Sequence, residues 1–217
     1  MGLGRAAFID TAEQLLQEQI SESDHAYIDR DDFYLNNRIG VLFQKPKGWA
    51  LVSNGQFADA RAGQILANGW DEDKELIFEL LGDPFCVLTK YDPTDPSLYK
   101  RFSPTIAVKA TPRKDFEEKN LEQIIRSSEY STRQILRKFK VVKRYEPYAM
   151  SGCTFYEFDC TYMFEHINLE KPVRADLKSI KTESNGLVFD FNFTRSIACN
   201  ESEDEALERF KSSILIA

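Results

Sequence analysis

Two histidines, among 217 residues, are the candidates for any chemistry that needs an imidazole. His25 lies in an acidic stretch without hydrophobic periodicity, and His166 follows Glu165 at the end of an alternating segment. A Ser–His–Asp or Cys–His arrangement would have to use one of them. Cys160 lies six residues before His166, which is about 20 Å along a strand, so these two side chains cannot react together. The sequence therefore predicts no catalytic residue.

Carboxylates recur on one face of residues 153–167, at Glu157, Asp159 and Glu165. Such a group could transfer protons or bind a hard cation. The same pattern is typical of the solvent-exposed face of an antiparallel sheet, where Arg174 and Lys178 of the following strand could pair with the acids. We favour this second interpretation and predict no metal site.

The four cysteines are Cys86, Cys153, Cys160 and Cys199, and no two of them form a CxxC pair. Cys153 and Cys160 are seven residues apart and face opposite sides of one predicted strand, so they cannot form a disulfide with each other. Zinc sites need clustered ligands, and phosphate-binding glycine loops are missing. The sequence predicts free thiols in a reducing cytoplasm and no cofactor.

A run of basic residues, without an acid between Tyr130 and Tyr145, stands out in a chain of net charge -7. One interpretation is the solvated C-terminal end of a helix. The other is a partner-binding patch for an acidic protein surface or an anion. The net negative charge argues against a nucleic acid partner. The patch would consist of Arg133, Arg137, Lys138, Lys140, Lys143 and Arg144.

The elements that must position these residues begin with an amphipathic helix over residues 6–20, followed by an acidic linker. This front piece, residues 1–32, could pack on the rest of the chain, dock on a partner or mediate a homodimer. A single domain is predicted over residues 33–217. The sequence has no stretch of 18 apolar residues, so no membrane span is expected.

Within that domain, RIGVLFQ and WALVS read as a hairpin around Pro46 and Gly48. Three segments of alternating polarity, ending in LVFDFNFT, predict an antiparallel meander covered by helices on its apolar side. The predicted fold class is α+β, mainly antiparallel sheet with helices packed against it. The other predicted elements are helices over 57–67, 72–81 (or a strand), 117–140 and a final helix capped by Asn200 and Glu203, with strands over 85–91, 105–110, 153–167, 173–182 and 187–197.

Several phrases in this order resemble the PsbP/Mog-type α/β/α sandwich over about residues 33–216. They are GVLFQKPKGW (40–49), SPTIAV (103–108), Ser151–Gly152 before FYEF, and LVFDFNFT followed by ESEDEALERFKSSI. The resemblance implies a scaffold that binds other macromolecules, since the superfamily shares no catalytic residues. Its members include an extrinsic photosystem subunit, a Ran-binding import factor and bacterial proteins that assist secreted effectors.

The leading hypothesis is a soluble, cytoplasmic, non-catalytic protein that binds another protein, as an adaptor or chaperone. The alternative is a small-ligand-binding protein or an enzyme. Its pocket would lie between the sheet and the helices and would be lined by Trp49, Tyr156 and Tyr162.

Overall fold

A computed structural model describes residues 27–29, 33–93, 95, 100–116, 118–197 and 201–217. These residues form mostly antiparallel sheets with a few helices, which is an α+β fold. The strands are β1 (Tyr27–Asp29), β2 (Phe33–Asn36), β3 (Val41–Gln44), β4 (Ala50–Val52), β5 (Cys86–Thr89), β6 (Thr105–Pro112), β7 (Arg137–Arg144), β8 (Tyr148–Met150), β9 (Cys153–Phe164), β10 (Val173–Ser184), β11 (Leu187–Ser196) and β12 (Leu215–Ile216), and the helices are α1 (Asn54–Ala62), α2 (Lys74–Leu81), α3 (Leu121–Ile135) and α4 (Glu201–Ser212).

The chain divides into two compact units. The first contains the described part of Met1–Lys47, Met150–Gly152 and Glu201–Ala217. Its strands pair antiparallel in the order β1-β2-β3-β12. Phe43 forms its core, stacked on Tyr34 at a ring-centroid distance of 4.8 Å and edge-on to Phe210 of α4 at 5.1 Å.

The second unit contains Gly48–Ala149 and Cys153–Asn200, of which residues 198–200 are outside the described part. Its sheet has the order β4-β5-β6-β11-β10-β9-β7, and β8 also pairs with β9. The predicted meander β9-β10-β11 is confirmed, with Asn185 and Gly186 at positive φ in the tight turn between β10 and β11.

One face of this sheet carries α3, and we call it the helix face. Strand register places Cys160, Leu177, Thr194, Thr105 and Thr89 side by side across it. At one end of this face, Ile125 of α3 packs in a buried cluster with residues of β7, β9 and β10. The other buried members of that cluster are Phe139, Phe158, Cys160, Tyr162 and Ala175.

The predicted helix over residues 117–140 is confirmed over Leu121–Ile135 and wrong for residues 118–120 and 136–140. Asn120 and Gln123 form a capping box that starts α3, and Leu136 already has extended backbone, with φ -96 and ψ 129. The chain then continues as β7, which pairs with β9 and buries Phe139. Apolar residues at 135, 136 and 139 satisfy a helix period and also a bulged strand, and the long-range pairing with β9 decides between them.

The predicted hairpin around Pro46 is also wrong. β3 pairs with β2 and β12, whereas β4 pairs with β5 in the other sheet. The helix alternative for 72–81 is confirmed as α2, and the final helix is confirmed as α4 with Leu207 and Phe210 buried.

The predicted helix over residues 6–20, His25, Cys199 and the capping residue Asn200 lie outside the described residues. Tyr27–Asp29 of the predicted linker form β1. Division of the chain at residue 32 stays a prediction. Among the helices that the structure describes, none is long and apolar enough to cross a membrane.

The acidic residues of β9 were expected on an exposed face, and for Glu157 this is wrong, since its side chain is 2% exposed. Lys178 contacts Glu157 at 2.7 Å and Asp159 at 2.8 Å. Tyr148 donates a hydrogen bond to Glu157, and Tyr145 donates one to Asp159. The predicted pairing with Lys178 is confirmed, and every carboxylate oxygen of the two acids has a partner. This cluster is a satisfied polar network rather than an open cation site.

Candidate functional site

A cavity of about 710 Å³ opens on the helix face of the second unit. Its floor is formed by strands β4, β5, β6, β9 and β11, one wall is α1, and the other walls are residues 91–93, 101–103 and 166–169. A cavity of this size accommodates a typical small-molecule ligand. The lining residues that carry aromatic rings are Phe57, Tyr91, Phe102, Tyr162, Phe164 and His166, and those that carry charges are Asp59, Arg61, Asp92 and Arg101.

The aromatic rings of the lining support one another. Phe102 meets Phe164 edge-on at a centroid distance of 4.9 Å, and Phe164 stacks on His166 at 6.1 Å. Tyr162 is 7% exposed, and burial raises its pKa even though a hydrogen bond with Thr194 acts in the opposite direction. The phenol is therefore neutral at physiological pH and presents an apolar ring to the cavity.

Three hydroxyl groups of the lining form hydrogen bonds within the protein. Thr89 donates to the Tyr91 carbonyl at 2.7 Å, and Thr105 donates to the Ser103 carbonyl at 3.0 Å. The Ser103 hydroxyl accepts from the Tyr91 amide at 3.0 Å. These bonds hold Tyr91 and Ser103 of the wall onto β5 and β6. They also engage three hydroxyl groups of the lining within the protein, which leaves the aromatic rings as a large part of the surface open to a ligand.

Helix α1 is held over the cavity by its sequence at both ends. Ser53 caps its N-terminus in a capping box with Gln56. At its C-terminus, His166 Nε2 lies 2.9 Å from the Ala60 carbonyl, and Nδ1 accepts from the Asn168 amide at 3.1 Å. Because Nδ1 accepts, Nε2 carries the proton and donates to Ala60. We call this pair of bonds the His166 clamp.

The clamp depends on Gly63. A Cβ at this position would lie 2.4 Å from His166 Nε2 and 2.6 Å from Cε1, which is a severe overlap. The same segment pairs with the end of β9, since Ile167 donates to the Gly63 carbonyl at 2.9 Å and Ile65 donates to the Glu165 carbonyl at 2.9 Å. The wall of the cavity is thus joined to its floor by backbone pairing and by one imidazole.

Arg61 is the charged residue of the lining with the most protein partners. Its guanidinium forms an ion pair with Asp83 at 3.1 Å and lies over the rings of Phe78 at 4.3 Å and Phe57 at 5.2 Å. Burial lowers its pKa, and Asp83 opposes that shift. This arginine is neutralised and packed as part of the wall.

The chemistry available in the cavity is limited. Both nitrogens of His166 are engaged in the clamp, which leaves no imidazole nitrogen to act on a ligand. The described residues contain no group of three or more His, Cys, Asp or Glu side chains placed to bind a metal ion. Burial raises the pKa of the Cys86 and Cys160 thiols to about 12, so neither is a nucleophile at neutral pH.

The three aromatic residues predicted for a pocket are not brought together. Tyr162 lies in the cavity. Trp49 stacks on Phe193 at 6.0 Å, and Phe193 belongs to the face opposite Thr194. Tyr156 shares the helix face with Tyr162 but lies six residues away along β9 and packs against the α3 cluster. Trp49 and Tyr156 thus do not line this cavity, and their assignment to a ligand pocket stays a prediction.

The basic run lies mostly on β7, an edge strand of the sheet, and not at a helix end. Arg137 donates from Nη1 to both carboxylate oxygens of Glu165 at 2.7 Å, and Arg144 forms a bidentate pair with Glu129 at 2.5 and 2.6 Å. Lys143 lies 4.1 Å from the ring of Tyr145. For Arg133, Lys138 and Lys140, all exposed, no carboxylate among the described residues reaches ion-pair distance.

This edge strand is irregular as well as basic. Its register with β9 shifts between Arg137 and Lys140 and again between Val141 and Lys143, and Lys138 has a φ of 54°. Bulges and lysines are the features by which natural sheets avoid edge-to-edge pairing. The charge segregation seen in the sequence thus has a structural explanation at this edge.

Most residues of the cavity were not identified from the sequence. Alternation along β9 placed Tyr162 and Phe164 on the same face, which was the available signal for the floor. Phe57, Tyr91 and Phe102 come from a helix and a proline-containing loop whose positions depend on long-range pairing of β5 with β6 and β6 with β11.

No protein-family model matches the sequence, and no curated protein matches it. Among solved structures, cyanobacterial PsbP (CyanoP) from Synechocystis sp. PCC 6803 is 13% identical, with 90% of this chain and 98% of that chain covered and a TM-score of 0.49. LpqN of Mycobacterium tuberculosis, involved in cell envelope biogenesis, is 12% identical, with 94% and 96% covered and a TM-score of 0.48. PA94 of Pseudomonas aeruginosa is 11% identical, with 89% and 96% covered and a TM-score of 0.43.

A PsbP protein is thus among the similar structures, in agreement with the resemblance stated from the sequence. Because these TM-scores are below 0.5, the likeness indicates nothing about the site or the function of this chain. The α/β/α layering that the resemblance implies stays a prediction.

Proposed function

We propose that the chain is a non-catalytic binding protein for a small, mainly apolar ligand, which occupies the cavity between α1 and the helix face. The observation that carries this proposal is the composition of the cavity: about 710 Å³ lined by aromatic rings, with the hydroxyl groups of Thr89, Ser103 and Thr105 bonded inside the protein. Such cavities bind ligands through apolar contact, and a few polar groups fix the orientation.

The engagement of the imidazole and the phenol of the lining within the protein supports binding rather than catalysis. Both ring nitrogens of His166 form the hydrogen bonds of the clamp, and Tyr162 is a buried neutral phenol bonded to Thr194. This choice follows the small-ligand alternative from the sequence. The adaptor hypothesis and its basic patch stay predictions, since the bulged, lysine-bearing edge of β7 has a structural explanation of its own.

The cytoplasmic location also stays a prediction. Cys86, Cys153 and Cys160 are free thiols, which is compatible with a reducing compartment. A homodimer through residues 6–20 would have to be tested on the chain in solution, because those residues lie outside the described part.

The proposal is tested by blocking the cavity. Ala107 lies on the floor and lines the cavity, so Ala107→Phe should fill part of it. Binding of the neutral fluorophore N-phenyl-1-naphthylamine, followed by fluorescence titration, should weaken at least tenfold, because the added ring occupies the space that the probe needs.

Ala149→Phe is the matched control, since Ala149 is an exposed residue of β8 that does not line the cavity. It should leave the affinity for N-phenyl-1-naphthylamine unchanged. Circular dichroism should show both variants folded. Equal affinity of the wild type and Ala107→Phe, or no binding to the wild type, would contradict the proposal.

A further inference from the structure

The charged residues of the cavity lining differ in how far the protein already neutralises them. Arg61 forms an ion pair with Asp83 and lies over two phenyl rings, although its Nε is buried without a hydrogen-bond partner. Arg101 is exposed, its guanidinium carbon lies 6.0 Å from the centre of the Tyr91 ring, and no carboxylate of the described residues lies within ion-pair distance of it. Of the two arginines of the lining, Arg101 is therefore the one whose charge no carboxylate of the described residues balances.

The carboxylates of the lining restrict where a second charge could be placed. Asp59 projects from α1, and Asp92 belongs to the wall at residues 91–93. An anionic group near either acid would be repelled, whereas one beside Arg101 would gain a charge-assisted hydrogen bond. The charges of the lining therefore favour an anionic group at Arg101 over one at either acid.

Several neutral polar groups of the lining are already engaged within the protein. The hydroxyls of Thr89, Ser103 and Thr105 are bonded to main-chain groups, and His166 donates to Ala60. These four side chains are therefore not the partners of a ligand's polar end. Guanidinium groups bind carboxylate, sulfonate and phosphate in a bidentate geometry, which also fixes orientation.

We infer that the ligand is an apolar or aromatic anion, whose ring or chain lies among Phe102, Tyr162 and Phe164 and whose acidic group pairs with Arg101. This inference rests on the proposed function and adds the chemical class of the ligand. Arg101 is then the residue that determines specificity for the charged end.

Two probes with the same skeleton separate the inference from the proposed function. N-Phenyl-1-naphthylamine is neutral, and 8-anilinonaphthalene-1-sulfonate carries one sulfonate on the same rings. Arg101→Gln should weaken binding of the sulfonate about fivefold, as expected for one charge-assisted contact at a partly exposed side chain, and should change binding of the neutral probe less than twofold.

Arg101→Lys keeps the positive charge but loses the bidentate geometry. It should therefore bind the sulfonate probe more weakly than the wild type does and more tightly than Arg101→Gln does. Arg133→Gln removes an exposed arginine of α3 outside the cavity lining and should leave both affinities unchanged. In the wild type, a higher salt concentration should weaken binding of the sulfonate probe and not of the neutral probe. In Arg101→Gln, the affinity for the sulfonate probe should not depend on salt in this way.

The outcomes are distinct. Unchanged sulfonate binding in Arg101→Gln, or an equal loss of affinity for both probes, overturns the inference that the ligand is an anion. Binding of the neutral probe to the wild type still tests the proposed function separately. Failure of the neutral probe to bind the wild type, or to respond to Ala107→Phe, overturns the proposed function itself.

Discussion

Lys178 compensates the negative charge of two carboxylates in the sheet. Two carboxylates, one of them almost fully buried, share this ammonium and two tyrosine hydroxyls. Burial alone would lower the pKa of Lys178, but the hydrogen bonds with Asp159 and Glu157 outweigh it and raise the pKa above its ordinary value. Because the pKa is raised, the stabilisation by the charged lysine is complete below about pH 10.4, the ordinary lysine value. It is lost only as the pH rises through the folded-state pKa.

Lys178→Met should therefore lower the free energy of unfolding by about 3 kcal/mol at pH 7, because it leaves a buried carboxylate without its cation. Urea unfolding followed by circular dichroism measures this loss. The double variant Lys178→Met/Glu157→Gln should recover part of the stability at pH 8. Equal stability of Lys178→Met and the wild type at pH 8 would contradict this account.

Helix α1 illustrates how an element with little hydrophobic surface of its own can be fixed in place. None of its residues is buried, so its position depends on its cap and on the His166 clamp. Gly63→Ala places a methyl group on the imidazole. We expect a loss of about 1–3 kcal/mol in the free energy of unfolding, as for overpacking of a buried site.

A double-mutant cycle checks the cause of this loss. If the clash with the imidazole is responsible, Gly63→Ala in the background His166→Ala should cost less than half as much as in the wild type. Gly69→Ala is unsuitable as a control. A Cβ at this position would meet no atom within 4 Å, but the φ of 76° would strain an alanine backbone. Gly55→Ala on α1 is suitable, since it has space and needs no unusual backbone.

The elements also show how far sequence patterns reach. Alternation over β9 to β11 and the Asn185–Gly186 turn predict the meander, because the strands are neighbours in the chain and their pairing is local. The boundary between α3 and β7 could not be predicted, since the same apolar residues suit a helix or a bulged strand. Only pairing with β9 distinguishes the two.

At the scale of the whole molecule, the candidate site was harder to predict than the fold. Tyr162 was identified because it alternates along a strand, whereas Arg101 and Phe102 lie in a loop without periodicity. Their convergence requires β6 to pair with both β5 and β11, and β11 lies about 80 residues further along the chain. Patterns within one segment carry no information about such contacts.

The internally bonded hydroxyls of the cavity have a thermodynamic consequence. Water beside the floor hydroxyls, which are already paired, and beside the aromatic rings finds few hydrogen-bond partners, so a ligand that covers this part of the cavity displaces solvent that is weakly held. Burial of ring surface then dominates, and the robust sign of that process is a negative heat-capacity change. Calorimetric titration of N-phenyl-1-naphthylamine between 10 and 35 °C, a range in which folded domains are ordinarily stable, should show a binding enthalpy that becomes steadily more favourable on warming. An enthalpy that stays constant over this range would mean that the probe binds through polar contacts instead.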